Sequence, residues 1–566
     1  MKTRTVLPLM KPALRAALGM SSLLGAMLCF SLHAHAQEGS NSGIKWTLDG
    51  ELSQGVMWRA SGRNNALVGP SSGGTDMRNL DLGDDGNLNY PRRGQVVAAP
   101  FSVLGTVEGE YQNQRVLLRG SVLYDWKNAN FSPLSSEARD LIGKRARLLD
   151  AYWAGTFTPG EESNLELKIG RQVIMWGESK MLPGGINYFN PLDYSRLRQP
   201  GSTLKDGALP IGAAAMTLST GSNLTLQGFY QLQKAKQELD PVGSFFSDVD
   251  ILGAGAGTTS IAPFIPLPLS RVADRNSSKS GQFGLAAFIK LDNLGLGFYY
   301  QNLSQRTPRT SGYGNASAPF GIPQTSYLWE YPTDIQTVGM SFNTKLGKGA
   351  LSGEIAYRRN VPIGLDAGAV GTARVNAALC VAALGLSPNC SAALAGPTPL
   401  AADATGYIKG YAQIEQLALN LGYLSFFTGS DGFIRALGAN GGSILLEANA
   451  IRSSLPNQTF LPTMVADKWS GSAIASLAVD YLRVNGSDWT LTPKLVTQVW
   501  FLGDEASGAP FFKGRVQVTP AIQFRRDNKH DVSFELSYTR TSDHSAKGDR
   551  VLSDRDYVAA TAKWAF

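Results

Sequence analysis

The chain has 566 residues, of which 43% are hydrophobic, 9% aromatic and 17% charged, with 62 glycines, four histidines, three cysteines and a formal charge of +7. No stretch beyond the amino-terminal leader offers the roughly 18 uninterrupted apolar residues that a membrane helix needs. No segment has the basic stripe with interleaved aromatics that nucleic-acid binding would want. Many amphipathic strands joined by turns suit this composition better than several soluble domains do.

Lys2, Arg4, Lys11 and Arg15 precede an apolar run from Ala16 to Leu32, and Ala34, His35 and Ala36 place small residues at −3 and −1 of a cleavage site. Residues 1–36 are expected to be a signal peptide, with Gln37 starting the mature chain. A lipoprotein site at Cys29 fails, because Met27 and Leu28 stand where small residues are required. Removing four basic and no acidic residues leaves 48 basic against 45 acidic, so the charge falls to +3 and the high pI belongs mostly to the leader.

The first clear hairpin runs from Pro100 to Lys127. Val103, Val107 and Tyr111 alternate up to a turn at Asn113, and Val116, Leu118, Val122, Tyr124 and Trp126 alternate away from it, while Arg115, Arg119, Ser121 and Asp125 point the other way. The pattern recurs with short turns at Gly221–Ser222, Asp292–Asn293, 345–348, 485–488 and 527–530, separated by long connections, among them 60–100, 176–209, 235–279 and 360–411. Short turns on one side and long loops on the other are the asymmetry of an outer-membrane barrel. The expected fold is all-β, a transmembrane antiparallel β-barrel filling 37–566 as one domain, with about 18 strands and a range of 16 to 20 because 425–442 is long for a short-side turn. The last strand alternates Val558, Ala560, Ala562, Trp564 and Phe566 outward, and its aromatic ending resembles the recognition signal that the outer-membrane assembly machinery reads.

The registers turn Arg115, Arg119, Glu354 and Arg358 inward, in a lumen of mixed charge, and add neutral amides and aromatics such as Gln227, Phe229, Gln231, Tyr299, Gln301 and Gln498. Such a wall suits an uncharged or weakly anionic organic solute, although any wet lumen is lined by polar residues. Trp46, Trp58, Trp126, Trp153, Trp489 and Trp564 fall on outward registers and read as an interfacial girdle. Cys380 and Cys390, in an exported chain, are expected to form a local disulfide, with two free thiols the alternative.

Polar side chains concentrate where one strand ends and its long connection begins. Arg171 and Gln172 close the strand, and Trp176, Glu178, Asn190, Asp193, Arg196 and Lys205 follow on the connection. These residues are the candidate constriction, with Arg171 or Arg196 paired to Glu178 or Asp193; a loop stapled to the rim by the same ion pairs is the alternative. The run 170–179 (GRQVIMWGES), with Asn190-Pro191-Leu192-Asp193 and Arg196–Gly201 (RLRQPG), resembles the domain of unknown function 1302 outer-membrane family of proteobacteria. Leu239–Asp250, Gly297–Arg306, Glu330–Ile335 and Asp554–Val558 extend the resemblance over nearly the whole mature chain. It implies a barrel, and an association with breakdown of hydrophobic compounds such as steroids, aromatics and hydrocarbons. The Ala-rich stretch 365–405 departs from the family pattern.

Signs of other chemistry are weak. Gly69-Pro70-Ser71-Ser72-Gly73 spells a nucleophile elbow but lies in a Gly/Ser-rich loop rather than between a strand and a helix, and after the leader only His530 and His544 could serve as bases. Two histidines and one cysteine pair do not make a conventional zinc site. Asp81, Asp84, Asp85, Asn87 and Asn89 look like a calcium loop, but Gly83 and Arg92 occupy positions three and twelve of that template. Gly253, Gly255 and Gly257 lack the lysine and helix of a phosphate loop. No cofactor or metal is expected, and no nucleic acid. The expected partners are outer-membrane lipid and lipopolysaccharide, the assembly machinery through Phe566, and a small organic solute, with homo-oligomerisation left open. A passive channel leads over a surface hydrolase, which the shortage of histidines disfavours, and over a structural or adhesive protein, which only the long loops support.

Overall fold

The computed structural model describes residues 37–566 except 42, 76–82, 183, 188–189, 263–264, 277–279, 317–322, 366, 392–399, 401, 456–466, 505–512, 527–530 and 544–551. The leader, Asp81, the turn at 527–530 and both His530 and His544 lie outside the described residues.

Eighteen strands form the wall. They are β1 (Ile44–Arg59), β2 (Pro100–Tyr111), β3 (Gln114–Asp125), β4 (Lys144–Gly160), β5 (Ser163–Gln172), β6 (Ile211–Ser219), β7 (Leu224–Gln231), β8 (Phe283–Leu291) and β9 (Leu294–Leu303), then β10 (Ile335–Leu346), β11 (Gly349–Gly364), β12 (Tyr411–Thr428), β13 (Gly441–Ser453), β14 (Trp469–Asp480), β15 (Trp489–Leu502), β16 (Arg515–Arg526), β17 (Val532–Asp543) and β18 (Tyr557–Ala565). Each strand pairs antiparallel with the next, and β18 returns to β1 with Leu52 opposite Trp564 and Arg59 opposite Tyr557. Closure removes the edges that an open sheet would present to lipid. A further strand, Gln37–Asn41, pairs with Ile44–Leu48 of β1 just beyond the carboxy-terminal end of β18.

The hairpin expected at Pro100–Lys127 forms with its turn at Gln112 and Asn113. The long turn at 425–442 resolves without changing the strand count: β12 runs on to Thr428, and a short helix, Gly432–Ala436, fills the gap before β13. Ile434 of that helix is buried in a small cluster with Ala439 and Val479.

Alternation sorts the two faces of the wall. Val107, Val116, Ile169, Val338, Leu421 and Leu536 stay 47–57% exposed, as lipid-facing residues of a bare barrel should be. Their neighbours turn inward, and a cluster built on Trp176, Ile186, Phe229, Tyr299, Ile451 and Trp500 packs inside the barrel. Above the long-loop side, five short strands (Thr259–Ala262, Ile265–Arg271, Arg309–Ala316, Pro323–Glu330, Tyr407–Ile408) make a separate sheet. Helix α1 (Ala367–Ala382) belongs to this cap, with Val370, Ala373 and Ala377 packed around Ile408, and Cys380 is disulfide-bonded to Cys390 with Cα atoms 6.0 Å apart.

Candidate functional site

The connection between β5 and β6, residues 173–210, folds into the lumen and crosses it. Its course follows from what the wall offers. Gln172, buried at the end of β5, donates to the Ala213 carbonyl of β6 (3.0 Å) and locks the point of departure. Asn190 then closes the base of the loop, its Oδ1 accepting from Ile174 N (3.2 Å) while its Nδ2 donates to the Ile174 carbonyl. Trp176 turns inward between strands. Its ring packs on Phe229 of β7 (5.1 Å between centroids) and Tyr299 of β9 (6.0 Å), and Nε1 donates to Gln227 Oε1 at 2.7 Å. An indole buried this way needs a partner for its N–H, and an inward amide supplies it.

Two wall carboxylates grip the next turn. Glu354 of β11 accepts from the amides of Glu178 (2.6 Å), Ser179 (3.3 Å) and Ile186 (2.9 Å). Glu447 of β13 accepts from the amides of Lys180 (3.2 Å), Met181 (2.8 Å) and Leu182 (3.2 Å), from Ser179 Oγ (2.7 Å) and from Asn420 Nδ2 (2.9 Å). The approach is close enough that glycine is required. A Cβ on Gly185 would lie 1.6 Å from Glu354 Oε1, and Gly177, at φ +83°, would meet Oε2 at 2.5 Å. Arg358 caps the far side by donating to the carbonyls of Gly184 (2.6 Å) and Gly185, and Gln301 donates to that of Ile186 (3.0 Å).

The second half of the loop reaches the opposite wall. Asp193 caps the short helix Tyr194–Leu197 through Arg196 N (2.9 Å) and meets Arg145 (2.8 Å) and Arg147 (3.4 Å) of β4. Glu238, from the next long connection, shares both arginines, at 3.2 Å from Arg145 and in direct contact with Arg147. Burial works to raise the Asp193 pKa, but Arg145, the Ser195 hydroxyl and the Arg196 amide outweigh it and hold the carboxyl below its ordinary value. Arg196 donates to Gln199 (2.7 Å) and to Ser102 Oγ of β2 (3.2 Å). Pro200 presses on β1, where a Cβ at Gly55 would meet it at 2.6 Å, and Gly201 lies against Thr561 of β18.

The ion pairs expected from the sequence are replaced. Arg171 donates to the Leu149 carbonyl (3.2 Å), Glu178 Oε1 accepts from Asn343 (2.8 Å), and Asp193 is taken by the wall arginines. The reason is geometric: Arg145 and Arg147, two residues apart on β4, share the inward face and reach Asp193 from across a register that chain order does not reveal. Lys205 stays exposed on the turn Leu204–Gly207. Among the other residues expected to line the lumen, Arg115 sits 3.6 Å from Glu108 and 4.0 Å from Glu166, Arg119 pairs with Asp150 (3.3 Å), and Gln231 is buried, accepting from Arg306 (2.7 Å). Glu447, Arg145 and Arg147 were not singled out by sequence. The parity of β13 and β4 carried the signal, blurred in β13 by the apolar run Ile444-Leu445-Leu446.

A closed antiparallel barrel with an apolar exterior, a polar interior and an inserted loop is the architecture of the bacterial outer-membrane β-barrel, and this protein is one. It belongs to the family described as protein of unknown function (DUF1302), whose model matches residues 17–566. No curated protein matches the chain. Similar solved structures include OccAB1 of Acinetobacter baumannii (10% identity, 92% of this chain and 96% of that one, TM-score 0.40). Two from Pseudomonas aeruginosa are OpdK with vanillate (10%, 92% and 98%, TM-score 0.37) and OccK2 with glucuronate (8%, 92% and 97%, TM-score 0.38). At those scores the fold assignment rests on the closed strand ladder itself.

Proposed function

We propose that the protein is a passive channel admitting small organic solutes with apolar surface, and that the 173–210 loop is its constriction. The observation that carries this is the crossing of the lumen by a loop held at both walls, by Glu354 and Glu447 on one side and by Arg145 and Arg147 on the other. Eighteen strands leave a lumen their own side chains do not fill, and an inserted loop converts a wide pore into a selective one. On adjacent wall strands Gln498, Gln517 and Thr541 stand side by side and offer hydrogen-bonding groups, while Met175, 70% exposed on the loop, adds apolar surface. Such a mixture favours an amphipathic or apolar organic solute over an ion. Lipid with lipopolysaccharide would surround the apolar belt.

Planar-bilayer conductance of Asp193→Ala and Arg171→Ala tests the constriction. Removing Asp193 leaves Arg145 and Arg147 less neutralised and should shift the reversal potential toward anion selectivity, while Arg171→Ala, which removes a positive charge, should give a smaller shift toward cations. A folded Asp193→Ala protein with wild-type conductance and selectivity would refute the assignment. Absence of any conductance, together with hydrolysis of generic esters, would move the protein to the enzyme class.

A further inference from the structure

Two prolines interrupt the barrel ladder in a related way. The β15–β16 hairpin is continuously paired from Trp489 opposite Arg526 to Val499 opposite Val516, through Pro493 opposite Ile522 and Leu495 opposite Pro520. Each outer border of that hairpin has a gap. Between β16 and β17 the pairing runs from Arg515 opposite Asp543 to Val518 opposite Arg540 and resumes at Ala521 opposite Ser537, omitting Thr519 and Pro520. Between β14 and β15 it reaches Ala478 opposite Lys494 and returns only as a single bridge, Tyr481 with Leu491, omitting Thr492 and Pro493. The register does not slip across either gap. What is missing is a donor: a proline at a ladder position has no N–H to give its neighbour, and sheets ordinarily confine it to edge strands. The remaining prolines of the wall stand at or near strand ends, at Pro100, Pro159 and Pro362. Pro493 and Pro520 therefore give β15–β16 two edge-like borders inside a closed barrel.

Both gaps are bridged on the lumen side by side chains. Thr492 Oγ1 donates to Asp480 Oδ1 (2.6 Å), and the hydroxyls of Thr519 and Thr539 lie 3.0 Å apart. Outside, Leu495, Ile522 and Leu536 are 42%, 47% and 54% exposed, so the borders lie in the apolar belt. Inside the β16–β17 border, Ala521 and Ser537 put little bulk behind the seam. A ladder bond lost in hydrocarbon is not replaced by water, so each border is weaker than its neighbours.

We propose that the β15–β16 hairpin is a lateral portal, whose borders part at Pro520 and Pro493 to pass an apolar solute from the lumen into the hydrocarbon of the membrane. This rests on the proposed uptake of apolar solutes and adds the route by which they leave. A solute with no affinity for water then reaches the bilayer without crossing the aqueous periplasmic mouth.

The test is a pair of reversible locks, Thr519→Cys with Thr539→Cys and Asp480→Cys with Thr492→Cys, in cells producing the full chain. Entry of the apolar dye N-phenyl-1-naphthylamine is followed by its fluorescence, and ion conductance is measured on the purified protein. The oxidised locks are expected to slow dye entry at least fivefold with conductance unchanged, and reductant to restore it; wild type under the same treatments controls for the Cys380–Cys390 bond. Pro493→Val with Pro520→Val, which supplies the missing donors, should slow dye entry without oxidant. Dye entry at the wild-type rate through oxidised locks and through the valine variant overturns the portal while leaving the channel intact. Loss of conductance together with dye entry would also overturn it, since the hairpin would then serve only the axial pore. A wild type that conducts ions yet adds nothing to dye entry over cells lacking the protein would instead refute uptake of apolar solutes.

Discussion

Glu447 offers the sharpest test of how the loop is held. Its carboxylate takes three backbone amides, the Ser179 hydroxyl and the Asn420 amide, at 2.7 to 3.2 Å. Hydrogen bonds to a charged acceptor contribute about 1.5–3 kcal/mol each, and although donors on one carboxylate are not additive, losing several together costs at least about 3 kcal/mol. Because every 1.4 kcal/mol is about tenfold in an equilibrium, Glu447→Ala should raise the undocked population of the loop about a hundredfold or more. Single-channel recordings should then show a second, larger conductance level and more open-state noise. Glu447→Gln, keeping one acceptor oxygen, should fall between. Glu535→Ala is the control, because that carboxylate holds Lys494 (3.1 Å) on the wall and should add no second level. A folded Glu447→Ala protein with the wild-type level and noise would refute the anchoring role of the wall carboxylate.

Two further outcomes are expected. Trp176→Ala removes a buried indole and its bond to Gln227 at a cost of about 3–5 kcal/mol, so amides 178–186 should lose hydrogen-exchange protection while the strand amides keep theirs; unchanged protection would contradict the packing seen here. On the exterior loops, burial and the neighbouring Asp85, Asp84 and Asp248 push the Asp250 pKa up to about 8. A carboxyl raised above its unfolded value contributes stability that is full below about pH 4 and falls until the pH has risen through about 8, so proteolysis within 241–256 should accelerate from about pH 4 to about pH 8 and level off above, and Asp250→Asn should abolish that acceleration.

The wall was legible from sequence because lipid outside and water inside impose a period of two, and a one-residue error would turn every side chain of a strand over. That period is what set the inward expectation for Arg115, Glu354 and Arg358. Partners across the lumen could not. Asp193 meets Arg145 and Arg147 from a strand more than forty residues earlier, and only closure of the barrel decides which inward charges face the loop. The strand β13 was harder still, since Ile444, Leu445 and Leu446 run together just before Glu447 and hide the alternation that turns it inward. The turn at 425–442 only widened the expected count to 16–20, because a helix can lengthen a turn without adding a strand.

Glu447 holds Lys180, Met181 and Leu182 by their main-chain amides. At Lys180 and Met181, whose side chains are exposed, side-chain identity is therefore largely uncoupled from where the loop sits, while Leu182 is buried. Mutation at those two exposed positions can re-line the passage while the scaffold stays put, so a library randomised at 180 and 181 on a fixed Glu447 would be a compact route to altered permeant preference.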